Sequence, residues 1–319
     1  VPPQMRLGKE WYQGTADAVY QNFNLIHDFR PDLIAVFGAD HIYRMNIGQM
    51  VRFHRKKEAD LSIAMLPVPS VEATGFGVAE ATPDDRIVSW LEKPDDPPEM
   101  PDRAGYSYAS MGNYIFEPRA LINVLREVAQ EGLEPDFGTT IVPRMVDDHD
   151  YGVYAYDFHR NRVPGIKPYE EVGYWRDVGT LPTYWAAHMD LLGKQPRFDL
   201  NNRMWPIHSQ SYQRASPRVL SGQIEDSSLG VGTVVDEATI VRSVIGRDVW
   251  VEKGAEIVDS IVMDHCRVGP DSRIRKGIVD RYNYIQPGEV ISSDVPTDRS
   301  DSRVVDDLIA VARGRTRPI

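Results

Sequence analysis

The feature that most limits how this chain can fold is a six-residue beat in its last third. Ile245, Val251 and Ile257 are spaced by six, and after a one-residue shift so are Val262, Val268 and Ile274. Glycine or proline at 246, 254, 269 and 270 falls between or beside them. An aliphatic corner every six residues, with small or polar turns between, is the pattern of a left-handed parallel β-helix. Each coil buries its corner against the next, so several coils are needed to make a core. A β-sandwich with strands at this spacing is the competing arrangement.

Upstream the rhythm is different. Leu33–Phe37 is a continuous apolar run ending at Gly38, expected to be a buried parallel strand. Ile47–Lys57 has helical spacing, and Leu61–Val68 reads as a strand stopped by Pro67 and Pro69. Phe76–Ala81 and Ile87–Leu91 flank Pro83-Asp84-Asp85 as a hairpin. Met111–Phe116 reads as a strand, followed by helices at Pro118–Gln130, with proline in the first turn, and at Leu181–Leu192. Strand and helix in alternation is the grammar of an α/β sheet covered on both faces. The expected fold is therefore α/β, with a mixed, mostly parallel sheet over 1–192, a linker at 193–218 and the β-helix over 219–319. The tail beyond Pro287 is polar, with a short helix expected at Val304–Arg313.

Composition narrows the function classes. No apolar run approaches a membrane span, and the net charge of −11 speaks against a general field for nucleic acid or anionic membrane. The single cysteine, Cys266, excludes an internal disulfide and any all-cysteine metal site, and reads as a small buried residue. With no signal peptide, a cytoplasmic location is expected. The chain begins at Val1 in a polar segment, and a segment upstream is expected.

Three short runs concentrate the chemistry: Gly38-Ala-Asp-His-Ile-Tyr43, Glu92-Lys93-Pro94 and Tyr174-Trp-Arg-Asp-Val-Gly-Thr180. Two carboxylates, Asp40 and Asp177, with a lysine nearby are what a divalent cation and a phosphate require. An Asx turn or helix cap is the plain alternative for Asp40. For Asp177 it is an ion pair with Arg176 or a cap of the next helix, although Thr180 is the better cap. Lys93, before Pro94, can act as a point charge toward a phosphate, and Glu92 can accept from sugar hydroxyls; a solvated pair is the alternative. His41 reads as a structural partner of Asp40.

Together with Trp11-Tyr-Gln-Gly-Thr-Ala-Asp-Ala-Val19, Phe76-Gly-Val78, Ser110-Met-Gly-Asn-Tyr114, Asp136-Phe-Gly138 and Trp205-Pro-Ile207, these runs give the chain a resemblance to bacterial glucose-1-phosphate adenylyltransferases. They occur in that family's order, and with the β-helix they cover nearly the whole length. The resemblance implies a Rossmann-like nucleotidyltransferase domain that forms ADP-glucose and pyrophosphate from ATP and glucose 1-phosphate in glycogen synthesis. It implies Mg²⁺ held by Asp40 and Asp177 as the catalytic pair, with carboxylates roughly 4–6 Å apart about one cation. It assigns glucose 1-phosphate to Tyr12, Gly77, Glu92, Lys93, Ser110, Tyr114, Asp136, Phe137 and Trp175; core packing is the alternative for Phe137 and Trp175. A homotetramer answering phosphorylated metabolite effectors is implied as well. Two departures stand out. Ala39 sits where glycine often precedes the aspartate, and the family's opening glycine-rich triphosphate loop is not in this sequence, which we read as N-terminal truncation. Another sugar nucleotidyltransferase, making dTDP-glucose or GDP-mannose, and a non-catalytic regulatory subunit remain the alternatives.

Overall fold

The structure, a computed structural model, describes residues 12–100, 102–209, 212–296 and 299–315. They form two compact units. One runs to Ala39 and resumes over Met45–Arg162; the other comprises Asp40–Arg44 and the chain from Val163 onward.

The first unit is built on strands β1 (Ile34–Phe37), β3 (Leu61–Pro69), β4 (Gly77–Ala81), β5 (Ile87–Glu92), β6 (Tyr106–Phe116) and β7 (Val153–Asp157). Their order is β5-β4-β6-β3-β7, with β1 also on β6. The sheet is mixed, as expected, but not mostly parallel: among the described strands of this sheet only β3 and β7 run parallel. The links from β3 to β4 and from β5 to β6 contain no crossover helix, and a parallel neighbour needs one. Leu33–Phe37 is corrected in the same way: β1 is antiparallel to β6 and only partly buried. Prolines 67 and 69 do not stop β3, which carries both of them opposite Tyr108 and Tyr106.

One face of this sheet is apolar and continuous. Leu61, Ile63 and Met65 of β3 pack with Tyr114 and Phe116 and with Leu121, Val124, Leu125 and Val128 of helix α4 (Pro118–Glu131). The helical residues recur at three- and four-residue steps, so one stripe faces the sheet. Each such fully buried side chain contributes roughly 1.5–3 kcal/mol. Glu117 caps α4 through Arg119 and Ala120, with Pro118 in the first turn. On the alternate side-chain positions of β3, Ser62 meets His54 of helix α3 (Ile47–Lys57), Oγ to Nδ1 2.9 Å.

In the second unit, β2 (His41–Tyr43) pairs antiparallel with β8 (Trp175–Asp177), and α6 (Leu181–Met189) follows. From Arg218 the chain winds through three parallel sheets, a β-helix of about four turns. The hexad residues fall on its three faces: Ile245 pairs with Val262, Val251 with Val268 and Ile257 with Ile274, all buried. Its corners need left-handed backbone in every coil. Glu237, Gly254, Asp271 and Gly288 supply it at one corner, Arg242, Asp259 and Lys276 at another, Asp248, His265 and Tyr282 at the third. Serine hydroxyls form a ladder, those of Ser243 and Ser260 buried: Ser243 N donates to Ser227 Oγ, Ser260 N to Ser243 Oγ, and Gly277 N to Ser260 Oγ. Cys266 is buried in this core, where desolvation pushes its thiol up to about 12.

One expectation fails here. Val304–Arg313 is no helix: Ser302–Val305 and Leu308–Val311 form a hairpin whose second strand joins a solenoid sheet, burying Leu308, Ile309 and Val311. By contacts, the compact units divide at 162/163. Residues 163–192 belong with the solenoid because α6 is fastened to it, the Trp185 indole N–H donating to Asp259 O at 2.8 Å. The described residues of 193–217 hold no helix or strand, as expected of a linker, but they are pinned. Arg44 reaches Glu170 and the Asp199 carbonyl, and Asn202 accepts from Met204 and Trp205 while donating to Pro164 O. Among the described residues no helix is long and apolar enough to cross a membrane.

Candidate active site

In the first unit, the strand alternation of β5 puts Trp90 and Glu92 on one side. Glu92 is opposite Gly77 on β4. The Glu92 carboxylate sits in a seat that two glycines leave open. A methyl group on Gly77 would lie 2.8 Å from its Oε2, and one on Gly138 only 2.5 Å from the same oxygen. Burial raises the Glu92 carboxyl above the usual range, Lys93 opposing and Asp136 reinforcing the rise. Lys93 is exposed and holds a left-handed backbone, φ 48°, immediately before Pro94; its N–H is fixed by Phe76 O at 3.0 Å. A non-glycine residue held there carries strain, and such strain clusters at functional sites.

Asp136 is placed beside this seat but is fully engaged. Its Oδ1 accepts from Gly138 N, Thr139 N and the Thr139 hydroxyl, and its Oδ2 accepts from the Thr15 hydroxyl at 2.8 Å. Burial pushes the carboxyl up, yet these bonds outweigh it and hold it below the usual range. The cluster thus contains two unlike acids: Glu92, buried against bare glycines, and Asp136, tied into a turn. Phe137 is in the core, stacked on Tyr114 with centroids 5.4 Å apart. Burial lifts the Tyr114 phenol far above its ordinary value, Ser110 opposing. Ser110 is buried on β6 and accepts from Gly112 N, where the strand bulges. Tyr12 accepts from the Asn22 amide, while Trp11 lies outside the described residues. Thr15 closes the cluster by also accepting from Phe137 N.

The second unit carries the aspartates. In the β2–β8 ribbon His41 lies opposite Asp177, and Val178 N donates to Asp40 O at 3.1 Å, so the two acids are on neighbouring strands. Both face the space over Gly179: a methyl group there would be 3.1 Å from Asp177 Oδ1 and 3.9 Å from Asp40 Oδ2. Asp177 Oδ1 also accepts from Gly179 N. Arg176 does not claim Asp177; it pairs with Glu171 and Asp190. Thr180 caps α6 in a capping box with Thr183, so Asp177 is not needed as that cap. His41 Nε2 lies 3.6 Å from Asp40 Oδ1, and its ring packs edge-on against Trp175. Two hard carboxylate oxygens over an open glycine suit a small divalent cation that takes its remaining ligands from water and phosphate. Among the described residues no group of three or more His, Cys, Asp or Glu could cage one.

Reading the residues alone passed over Trp90, Gly138 and Thr15 as individual contributors. Trp90 looks like any aromatic on a half-buried strand; its position two residues before Glu92, and so on the same face, was the available signal.

Residues 3–194 match the nucleotidyl transferase family, and residues 214–312 match the GlmU-like C-terminal hexapeptide family. The chain is 46% identical to the glucose-1-phosphate adenylyltransferase of Thermodesulfovibrio yellowstonii, over 94% of this chain and 72% of that protein. With the glucose-1-phosphate adenylyltransferase of Corynebacterium jeikeium it shares 42% identity over 94% and 74%. With that of Aliivibrio fischeri it shares 41% over 98% and 77%. By this likeness over nearly its whole length, the chain belongs to the glucose-1-phosphate adenylyltransferase family.

Proposed function

We propose that the protein transfers the adenylyl group of ATP to α-D-glucose 1-phosphate, releasing pyrophosphate and ADP-glucose for glycogen synthesis in the cytoplasm. The observation that carries this reading is the pair of carboxylates, Asp40 and Asp177, brought to one side of Gly179. Nucleotidyl transferases of this family generally use a divalent metal, and Mg²⁺ is the ion proposed here. When bound, it would neutralise phosphate charge as the bond to pyrophosphate breaks. Asp40 and Asp177 would be its protein ligands.

The chain's own residues bind and orient. A phosphate oxygen of the sugar phosphate is already anionic, so it attacks the α-phosphorus of ATP in line without a general base. Pyrophosphate leaves from the opposite side. Lys93 orients the attacking phosphate as a point charge. Glu92 accepts hydrogen bonds from sugar hydroxyls, its carboxylate resting against Gly77 and Gly138. Asp136 holds the turn at Phe137–Ile141 in place. A homotetramer regulated by phosphorylated metabolites belongs to the same proposal, supported by family membership.

Lys93→Gln in the full-length protein tests the sugar side. The apparent KM for glucose 1-phosphate should rise about tenfold, on the order of 1.4 kcal/mol for a lost charge-assisted contact, with KM for ATP unchanged. Equal effects on both substrates would overturn the role given to Lys93.

A further inference from the structure

We infer that Trp90 is a positioning residue for glucose 1-phosphate, acting through the turn at Phe137–Ile141 and the Glu92 carboxylate. The inference rests on the adenylyl-transfer reading above. Its starting point is the backbone of that turn. Phe137–Ile141 is a wide, π-type helical turn in which Val142 N–H donates to Phe137 O, five residues back. At the same spacing the next donor, for Gly138 O, would be residue 143. That residue is Pro143, which has no N–H. The Trp90 indole fills the place: its Nε1–H donates to Gly138 O at 2.8 Å. A strand side chain thus completes the turn's hydrogen bonding where the turn's own sequence does not.

The same ring fixes the Glu92 seat from its other side. Trp90 is buried, and its Cζ2 would lie 2.2 Å from a methyl group on Gly77, so the six-membered ring occupies the space beside that glycine. Gly77 and Gly138 are the two walls against which Glu92 Oε2 rests. Trp90 touches the first with its ring and holds the second with its N–H. Wide turns of this kind are uncommon and are enriched at functional sites, and here one carries both Asp136, which caps it, and Phe137, which stacks on Tyr114. Without the indole N–H, Gly138 O loses its partner in a part-buried setting and the turn relaxes. The wall behind Glu92 then moves, and the change reaches the sugar phosphate through that carboxylate.

The test uses the full-length protein with three replacements. At position 90, β-(3-benzothienyl)alanine keeps the bicyclic ring and lacks the N–H; Trp90→Phe is the natural counterpart. Both should raise the KM for glucose 1-phosphate about fivefold to tenfold, the usual worth of one neutral hydrogen bond, with KM for ATP and kcat near wild type. Trp90→Phe/Pro143→Ala restores a backbone N–H at the missing place and should recover most of the lost affinity. A merely structural ring would not be rescued in this way. If the benzothienyl protein folds and binds the sugar phosphate like wild type, or if both KM values rise together, the inference is wrong. If Trp90→Phe does not fold, the benzothienyl protein alone decides. Failure of the parent reading looks different: wild-type protein would then release no pyrophosphate from ATP in a glucose 1-phosphate-dependent way.

Discussion

Glu92 and the Asp40/Asp177 pair are both acids beside glycine, yet the protein treats them in opposite ways. Glu92 is pressed into the cavity left by Gly77 and Gly138, and burial raises its carboxyl. Asp40 has a side chain 64% exposed and shares an open space over Gly179 with Asp177. In the first unit glycine makes room for the acid; in the second it makes room for something the acids would hold. A glycine next to a carboxylate is therefore ambiguous in sequence until one knows whether its missing Cβ space is filled.

The largest expected effect comes from breaking the open pair. Asp177→Asn keeps the Oδ1 that accepts from Gly179 N and removes the charge. We expect kcat to fall about 10²–10³-fold, the scale of losing one preorganised electrostatic contact. Stability should stay within about 0.5 kcal/mol, as for surface sites lacking a buried partner. Manganese(II) EPR should show weaker metal binding in parallel. Full metal affinity in the variant would remove Asp177 from the metal site.

Next come the two walls of the closed seat, which should respond differently to one added methyl. At Gly138 it would meet the Glu92 carboxylate, the end of a flexible side chain; at Gly77 it would meet the buried Trp90 ring. Gly138→Ala should displace Glu92 and raise the KM for glucose 1-phosphate about tenfold with little change in melting temperature. Gly77→Ala should cost about 1–3 kcal/mol of stability as an overpacked site. Melting curves beside sugar-phosphate kinetics check both; similar losses of stability in the two would show that Glu92 is not free to yield.

The contrast also explains what could be read from the sequence. The β-helix was legible because its period is local: Ile245, Val251 and Ile257 repeat within one coil, and each coil restates the rule. Its tail was not, because Leu308–Val311 joins a sheet begun much earlier, and only a distant neighbour makes it a strand. Sheet polarity was misjudged for the same reason: the apolar run at Leu33–Phe37 marks a strand without saying which way its partner β6 runs. Short motifs singled out Asp40, Glu92, Lys93, Asp136 and Asp177 as candidates. They did not separate Asp136, whose oxygens are engaged by a turn and by Thr15, from Glu92, whose seat is formed by absent side chains. That difference lives in tertiary packing.

The smallest expected effect separates those two acids by pH. The folded protein holds the Glu92 carboxyl above its ordinary value of 4.5, chiefly through burial. Between 4.5 and that raised value the folded state binds a proton that the unfolded state does not, so this group's contribution to stability is greatest below 4.5 and is lost as pH rises through the folded value. Asp136 is the reverse, held below 3.8: its contribution is present above 3.8 and is lost as pH falls through the lower folded value. At pH 7, Glu92→Gln should therefore leave the melting temperature unchanged or raise it slightly, while weakening sugar-phosphate binding and flattening its acid-side pH dependence. Asp136→Asn should lower the melting temperature by a few degrees, because an amide nitrogen cannot accept the Thr15 hydroxyl bond in place of Oδ2. Melting temperatures at pH 5 and pH 7, with the KM for glucose 1-phosphate across the same range, make the comparison. If Asp136→Asn weakens sugar binding as much as Glu92→Gln and leaves the melting temperature untouched, Asp136 contacts the sugar itself and the division between the two acids falls.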